Sequence, residues 1–169
     1  MARTAASHEA KDEDSVPDCT SLAQPDELRR IRTDGSDESV LLTGGSGSEP
    51  QEALCGFFDK QFSADGTTLY FLSPAWTTSA ALHALDLDAS ASRYLIPANS
   101  YLVLRECTDD ETRDAIAAEQ HRYFALGGSY DWFWLFAPGD LREVGPLGEF
   151  DSVQDLKDHV NDSGHCASP

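Results

Sequence analysis

The sequence predicts an all-β fold, and three observations carry the prediction. Short runs rich in β-branched and aromatic residues are separated by Gly, Pro, Asn, Asp and Ser. Helical periodicity is scarce. A set of four such runs recurs after about 45 residues. The elements follow in order. Residues 28–33 and 39–43 read as a hairpin turning at Asp34 and Gly35, where Gly accepts the positive φ of a tight corner. Residues 44–51 are a Gly/Ser-rich connector. The first full set has runs at 56–63, 68–73, 81–87 and 93–96, with a turn at Ala64, Asp65 and Gly66 and a link at 74–79. The second has runs at 100–107, 119–126, 131–137 and 142–147. Between its first two runs, residues 110–120 mix Ala, Glu and Arg and stay open between a helical turn and a strand. Ser152 followed by Asp155 and then Leu156 and Val160 predicts one short capped helix near the C-terminus.

Length and charge bound the organisation. The 169 residues suffice for one domain, expected at 26–150. Residues 1–25 hold few large hydrophobes and read as a disordered acidic tail; 151–169 read as the short helix and a tail. With 12 Lys+Arg against 30 Asp+Glu the formal charge is −18, which repels phosphate backbones and anionic headgroups, so neither a nucleic-acid nor a membrane role is expected. The longest apolar runs fall far short of the roughly 18–20 residues that span a bilayer. The N-terminus has no apolar core of a signal peptide, so the expected compartment is the cytoplasm, or the periplasm or exterior if a signal was trimmed. The cysteines Cys19, Cys55, Cys107 and Cys166 have no Cys-x-x-Cys spacing. In an oxidising compartment the expected pairs are Cys55 with Cys107 and Cys19 with Cys166; buried thiols are the alternative.

Residues 61–73, QFSADGTTLYFLS, resemble the signature Phe-Ser-x-Asp-Gly-x-x-Leu-x-Phe-x-Ser of TolB-like β-propeller repeats, and residues 28–45 look like the last two strands of such a repeat. In this register Phe62 ends an inner strand inside the core, Asp65 and Gly66 turn the chain, Leu69 and Phe71 share one face of the next strand, and Tyr70 and Leu72 share the other. Two apolar faces call for cover on both sides. The resemblance implies an incomplete β-propeller-like stack of about two and a half four-stranded antiparallel blades, too few to close a ring.

Chemistry is sparsely written. His83 and His121 lie within runs, with no nucleophile elbow, and read as packing residues; His8, His159 and His165 lie in the tails. Asp34, Asp37 and the cluster 109–111 lack the ligand spacing of a calcium loop, and no phosphate-cradling Gly motif occurs. No cofactor or metal is expected. The segment 127–136 passes from a Gly-rich turn into an aromatic strand, with Trp132, Trp134 and Phe136 on one face and Phe133 and Leu135 on the other. Its entrance, Tyr130, Asp131 and Trp132, together with Trp76 of the 74–79 link, is the expected partner-binding patch, since Tyr and Trp bury large area at low rotamer cost. The expectation is a non-catalytic protein-binding module for a basic protein partner, of inhibitor or immunity type. The rivals are a propeller-type hydrolase or lyase, and a protomer that self-associates as a homo-oligomer to complete a propeller.

Overall fold

A computed structural model describes residues 17, 19, 27–76, 79–105, 114–120, 122–124, 127–129, 132–137 and 141–163, with only the backbone of 122–124 and 127–129. The strands are β1 (Glu27–Arg30), β2 (Ser39–Thr43), β3 (Phe58–Phe62), β4 (Thr68–Pro74), β5 (Ala80–Asp86), β6 (Ala91–Ala98), β7 (Tyr101–Val103), β8 (Ile116–Glu119), β9 (Arg122–Phe124), β10 (Gly127–Ser129), β11 (Trp132–Phe136) and β12 (Glu143–Glu149). One helix, α1 (Val153–Ser163), follows. The chain is mostly β, and every strand pairing is antiparallel. β1 and β2 form a ribbon, β3-β4-β5-β6 a first sheet in chain order, and β7-β8-β11-β12 a second sheet, with the β9–β10 hairpin inserted between β8 and β11.

The first hairpin and the signature turn form as their residues dictate. Gly35 has φ 83°, and Asp34 accepts the Ser36 N–H at 2.9 Å. In the β3–β4 turn Gly66 has φ 74°, and one Asp65 carboxylate oxygen accepts from Ser63 Oγ, Thr67 N–H and Thr67 Oγ1 at 2.7–2.9 Å. Those donors hold the Asp65 carboxyl below the ordinary carboxylate range, the Ser63 hydroxyl contributing most.

Packing is layered. Leu69 and Phe71 of β4 and Leu85 of β5 face Leu28 of the ribbon and Phe57 of the connector. The opposite face, with Leu72, Leu82, Ala84 and Leu95, meets Tyr101, Val103, Ile116, Ala118 and Phe136 of the second sheet, so the two-sided burial expected of β4 is present. The alternation continues outward: Leu102, Ala117 and Phe133 turn to the far face of the second sheet, where α1 covers them with Leu156. Both faces of the aromatic strand β11 are therefore core. The helix starts where expected, with Ser152 Oγ accepting the Asp155 N–H at 3.2 Å and donating to its carboxylate at 2.8 Å.

The sheets are also joined along one edge. β3 and β7 share no ladder. Instead the Gln61 side-chain amide donates to the Tyr101 carbonyl at 2.9 Å and accepts the Val103 N–H at 2.9 Å. Tyr101 Oη donates to the Asp59 carbonyl at 2.5 Å, the Arg105 guanidinium donates to the Phe62 carbonyl, and the Ala64 N–H donates to the Asp114 carboxylate at 2.7 Å.

Three expectations are corrected. Phe62 is 48 % exposed: it sits on the edge strand β3 and is not part of the cluster that the ribbon forms with β4 and β5. The second strand of the second sheet is β8, inside 110–120, and not a run over 119–126; β9 pairs with β10 instead. Ile116, Ala117 and Ala118 are all buried, so this short strand has both faces covered, as its partner β11 has. Third, Cys55 is bonded to Cys19, 36 residues away, and not to Cys107. The connector folds back over the first sheet, burying Ala53 and Phe57 on either side of Cys55, with the Pro17 carbonyl 3.7 Å from its sulfur. Cys107 and Cys166 lie outside the described residues, as does most of 1–25.

Two predictions follow from this packing. Phe71, fully buried against Phe57 and His83, should lose about 3–5 kcal/mol on truncation to Ala, whereas Phe62→Ala should stay within about 1 kcal/mol, both read from urea unfolding midpoints. Gln61→Ala strands a donor and an acceptor of β7 and should cost about 1–3 kcal/mol. Gln61→Glu should cost at least as much, since a carboxylate oxygen then faces the Tyr101 carbonyl. A Gln61→Ala midpoint equal to wild type means that the amide does not join the sheets.

Candidate functional site

Of the expected aromatic patch, Trp76 and Trp132 lie among the described residues. Trp76 follows β4 in the first sheet and is half-buried, its ring edge-on to Tyr94 with centroids 6.4 Å apart. Trp132 opens β11 in the second sheet, opposite Glu149, and is also half-buried. Tyr130 and Asp131 lie outside the described residues.

Trp76 begins a ladder of rings leading into the core. Tyr94 meets His83 at 6.0 Å, His83 stacks on Phe71 at 5.2 Å and 7°, and Phe71 meets Phe57 edge-on at 5.3 Å. His83 is 3 % exposed and its Nε2 has no hydrogen-bond partner among the described residues. Burial among rings disfavours the imidazolium and lowers its pKa to about 4. A neutral imidazole without an adjacent carboxylate or nucleophile packs like another aromatic ring, as the sequence suggested. His159 of α1 lies against Phe150 at 5.3 Å; His8, His121 and His165 lie outside the described residues. Among the described residues no group of three or more His, Cys, Asp or Glu converges as a metal site, and no helix is long and apolar enough to cross a membrane.

A concave site occurs elsewhere. Between β1 and β3 lies an open groove of about 490 Å³, floored by Leu28, Leu41, Leu69, Leu87, Ile31 and Phe62 and rimmed by Glu27, Arg29, Arg30 and Lys60. Ile31 is 55 % exposed. Arg29 is held by Glu27 at 2.5 Å and Glu38 at 2.8 Å, in water-exposed pairs that contribute little to stability. Lys60 Nζ donates to the Phe57 carbonyl at 2.8 Å. Arg30 has no ion-pair partner among the described residues. A six-residue apolar floor with a charged rim suits binding of an amphipathic segment.

The sequence reading missed this groove, although a signal for it was present. Among the described residues the ribbon supplies two strands against a sheet of four, and Ile31 and Phe62 stay about half exposed.

The chain matches no protein-family model, no curated protein and no solved structure.

The buried His83 predicts an acid-sensitive fold. Its folded pKa of about 4 lies below the ordinary value near 6.5, so its contribution to stability is complete above pH 6.5 and is lost as pH falls from there towards 4. The loss amounts to about 3 kcal/mol, measurable as a pH series of urea midpoints. Asp59, raised by burial, acts in the opposite sense, and Asp34, Glu52 and Asp65 titrate low in the folded state. The difference between wild type and His83→Phe isolates the histidine: parallel profiles would show that its charging costs nothing.

Proposed function

We propose that this chain is a non-catalytic protein-binding module, built as an incomplete β-propeller-type stack of about two and a half blades. The observation that carries the reading is the open apolar groove at one end of the layered stack. An uncovered apolar surface of this kind in water marks an interaction site. The propeller part of the reading is supported by the signature residues 61–73, whose Asp65–Gly66 turn and two-faced strand take the forms that the repeat calls for, and by two successive four-stranded meanders preceded by a ribbon. The net charge of −18 supports a basic protein as the partner, because long-range attraction raises the encounter rate. An inhibitor or immunity-type protein that masks a basic enzyme fits that charge. The contact patch of Trp76, Tyr130, Asp131 and Trp132 belongs to this proposal. A second reading, a protomer that completes its stack with another copy, is favoured by the half-width ribbon.

The test is affinity capture at low ionic strength followed by elution with salt, with solution mass measured in parallel. The module reading expects a monomer that retains a basic protein, with association slowing about tenfold or more as salt is raised to physiological strength. Trp132→Ala should weaken that complex by about 2 kcal/mol if the residue is an anchor. A chain that captures nothing and elutes at twice its mass or more supports the self-associating protomer instead.

A further inference from the structure

We propose that the groove between β1 and β3 binds an extended segment of a partner protein, alternately apolar and acidic, which adds as a strand to the free edge of β1. The inference rests on reading the chain as a protein-binding module and specifies the chemistry of one contact.

Backbone, floor and charge each point to that occupant. Among the described residues β1 pairs with β2 on one side only, and β3, across the groove, is likewise an edge strand. An unpaired edge presents a row of N–H and C=O groups that an extended peptide satisfies, and alternate side chains of such a peptide then fall on one face. Below that edge lie Phe62, Ile31 and Leu69, the first two about half exposed, so one set of the added strand's side chains meets an apolar floor. The other set meets the rim. Arg29, Arg30 and Lys60 stand on the rim against Glu27, and Glu38 pairs with Arg29 from beside it, which leaves a local excess of one positive charge in a chain whose total is −18. Arg30, without an ion-pair partner among the described residues, is the cation best placed to take a carboxylate from outside. The groove is thus of opposite sign to the chain as a whole, and it selects an acidic segment even where the bulk of the partner is basic.

The two ends of the stack reinforce the argument. On the far side of the second sheet α1 covers the apolar face and buries Leu156 completely. At the ribbon end, Phe62 of β3 and Ile31 after β1 are left about half exposed. The volume of about 490 Å³ falls within the range of about 300–1,000 Å³ typical of ligand-holding pockets.

The probe is a labelled, acetylated and amidated nonapeptide of alternating leucine and glutamate, titrated into the full chain by fluorescence anisotropy, with a leucine–lysine peptide as control. The expected result is saturable binding of the glutamate peptide, at least tenfold weaker with Arg30→Glu and with Phe62→Asp, unchanged with Val144→Asp on the exposed face of β12, and at least tenfold weaker for the lysine peptide. Amide hydrogen exchange at β1 should slow on binding. Arg30, Phe62 and Val144 are exposed, so the three variants should keep the wild-type circular dichroism spectrum. Equal binding of the lysine peptide, indifference to both groove variants, or no binding at all overturns the proposal, as does dimerisation that Phe62→Asp abolishes, which assigns the groove to a second copy. A basic partner that is captured equally well by wild type and by Arg30→Glu/Phe62→Asp leaves the module reading intact while the groove proposal fails.

Discussion

A β-sheet that is apolar on both faces cannot stand in water, and the arrangement of this molecule follows from that constraint. In β4, Leu69 and Phe71 point one way and Tyr70 and Leu72 the other; in β5 every residue from Ala80 to Leu85 is buried. The second sheet answers one face. It is itself apolar on both sides, through Trp134 and Phe136 towards the first sheet and Phe133 and Leu135 away from it, and so requires α1. The ribbon answers the other face of the first sheet, but with two strands against four. Each layer is therefore a consequence of the one before it, and the groove lies where, among the described residues, the ribbon meets the edge of the first sheet.

Lateral order comes from polar groups. Hydrophobic contact between two sheets is tolerant of sliding, whereas a primary amide bonded to a carbonyl and an N–H of the neighbouring strand is not. Gln61 makes those two bonds to Tyr101 and Val103, and the Tyr101 hydroxyl returns one to Asp59. The bulge between Phe58 and Gln61, where Asp59 adopts φ 47°, displaces the register of β3 so that these groups meet β7 across the gap. One extra residue in an edge strand thus sets the position of the second sheet.

What was legible in the sequence was what local chemistry decides. The Asp65–Gly66 turn, the two faces of β4, the Ser152 cap and the packing role of His83 each depend on residues within a few positions or on simple alternation. What was not legible depended on distant cover. The signature register placed Phe62 inside the core, whereas it is 48 % exposed on an edge strand, and no local pattern tells how far distant elements cover that edge. Residues 115–118 are rich in Ala, whose preference is helical, and the strand there is imposed by pairing with β7 and β11. The Cys19–Cys55 bond depends on the connector folding back over the first sheet, a route set by the buried Ala53 and Phe57. The candidate site was hidden for the same reason: its lining comes from 27–31, 41, 60–62, 69 and 87, and only the fold assembles them.

Net charge conceals the sign of a local surface, and at the groove that distinction also bears on how an open strand edge survives in solution. β12 is blunted by Pro146 and by two register shifts against β11, devices that stop another strand from adding to it. At the groove the protection is electrostatic: Arg29 and Arg30 stand on β1, with Lys60 across from them on β3. Two copies meeting groove to groove would bring like-charged rims together in a low-dielectric contact, which opposes edge-to-edge association. The same cations attract a strand that carries carboxylates. The residues that protect the edge against its own copy are therefore the residues that define its partner, and a single charge reversal at Arg30 acts on both properties at once.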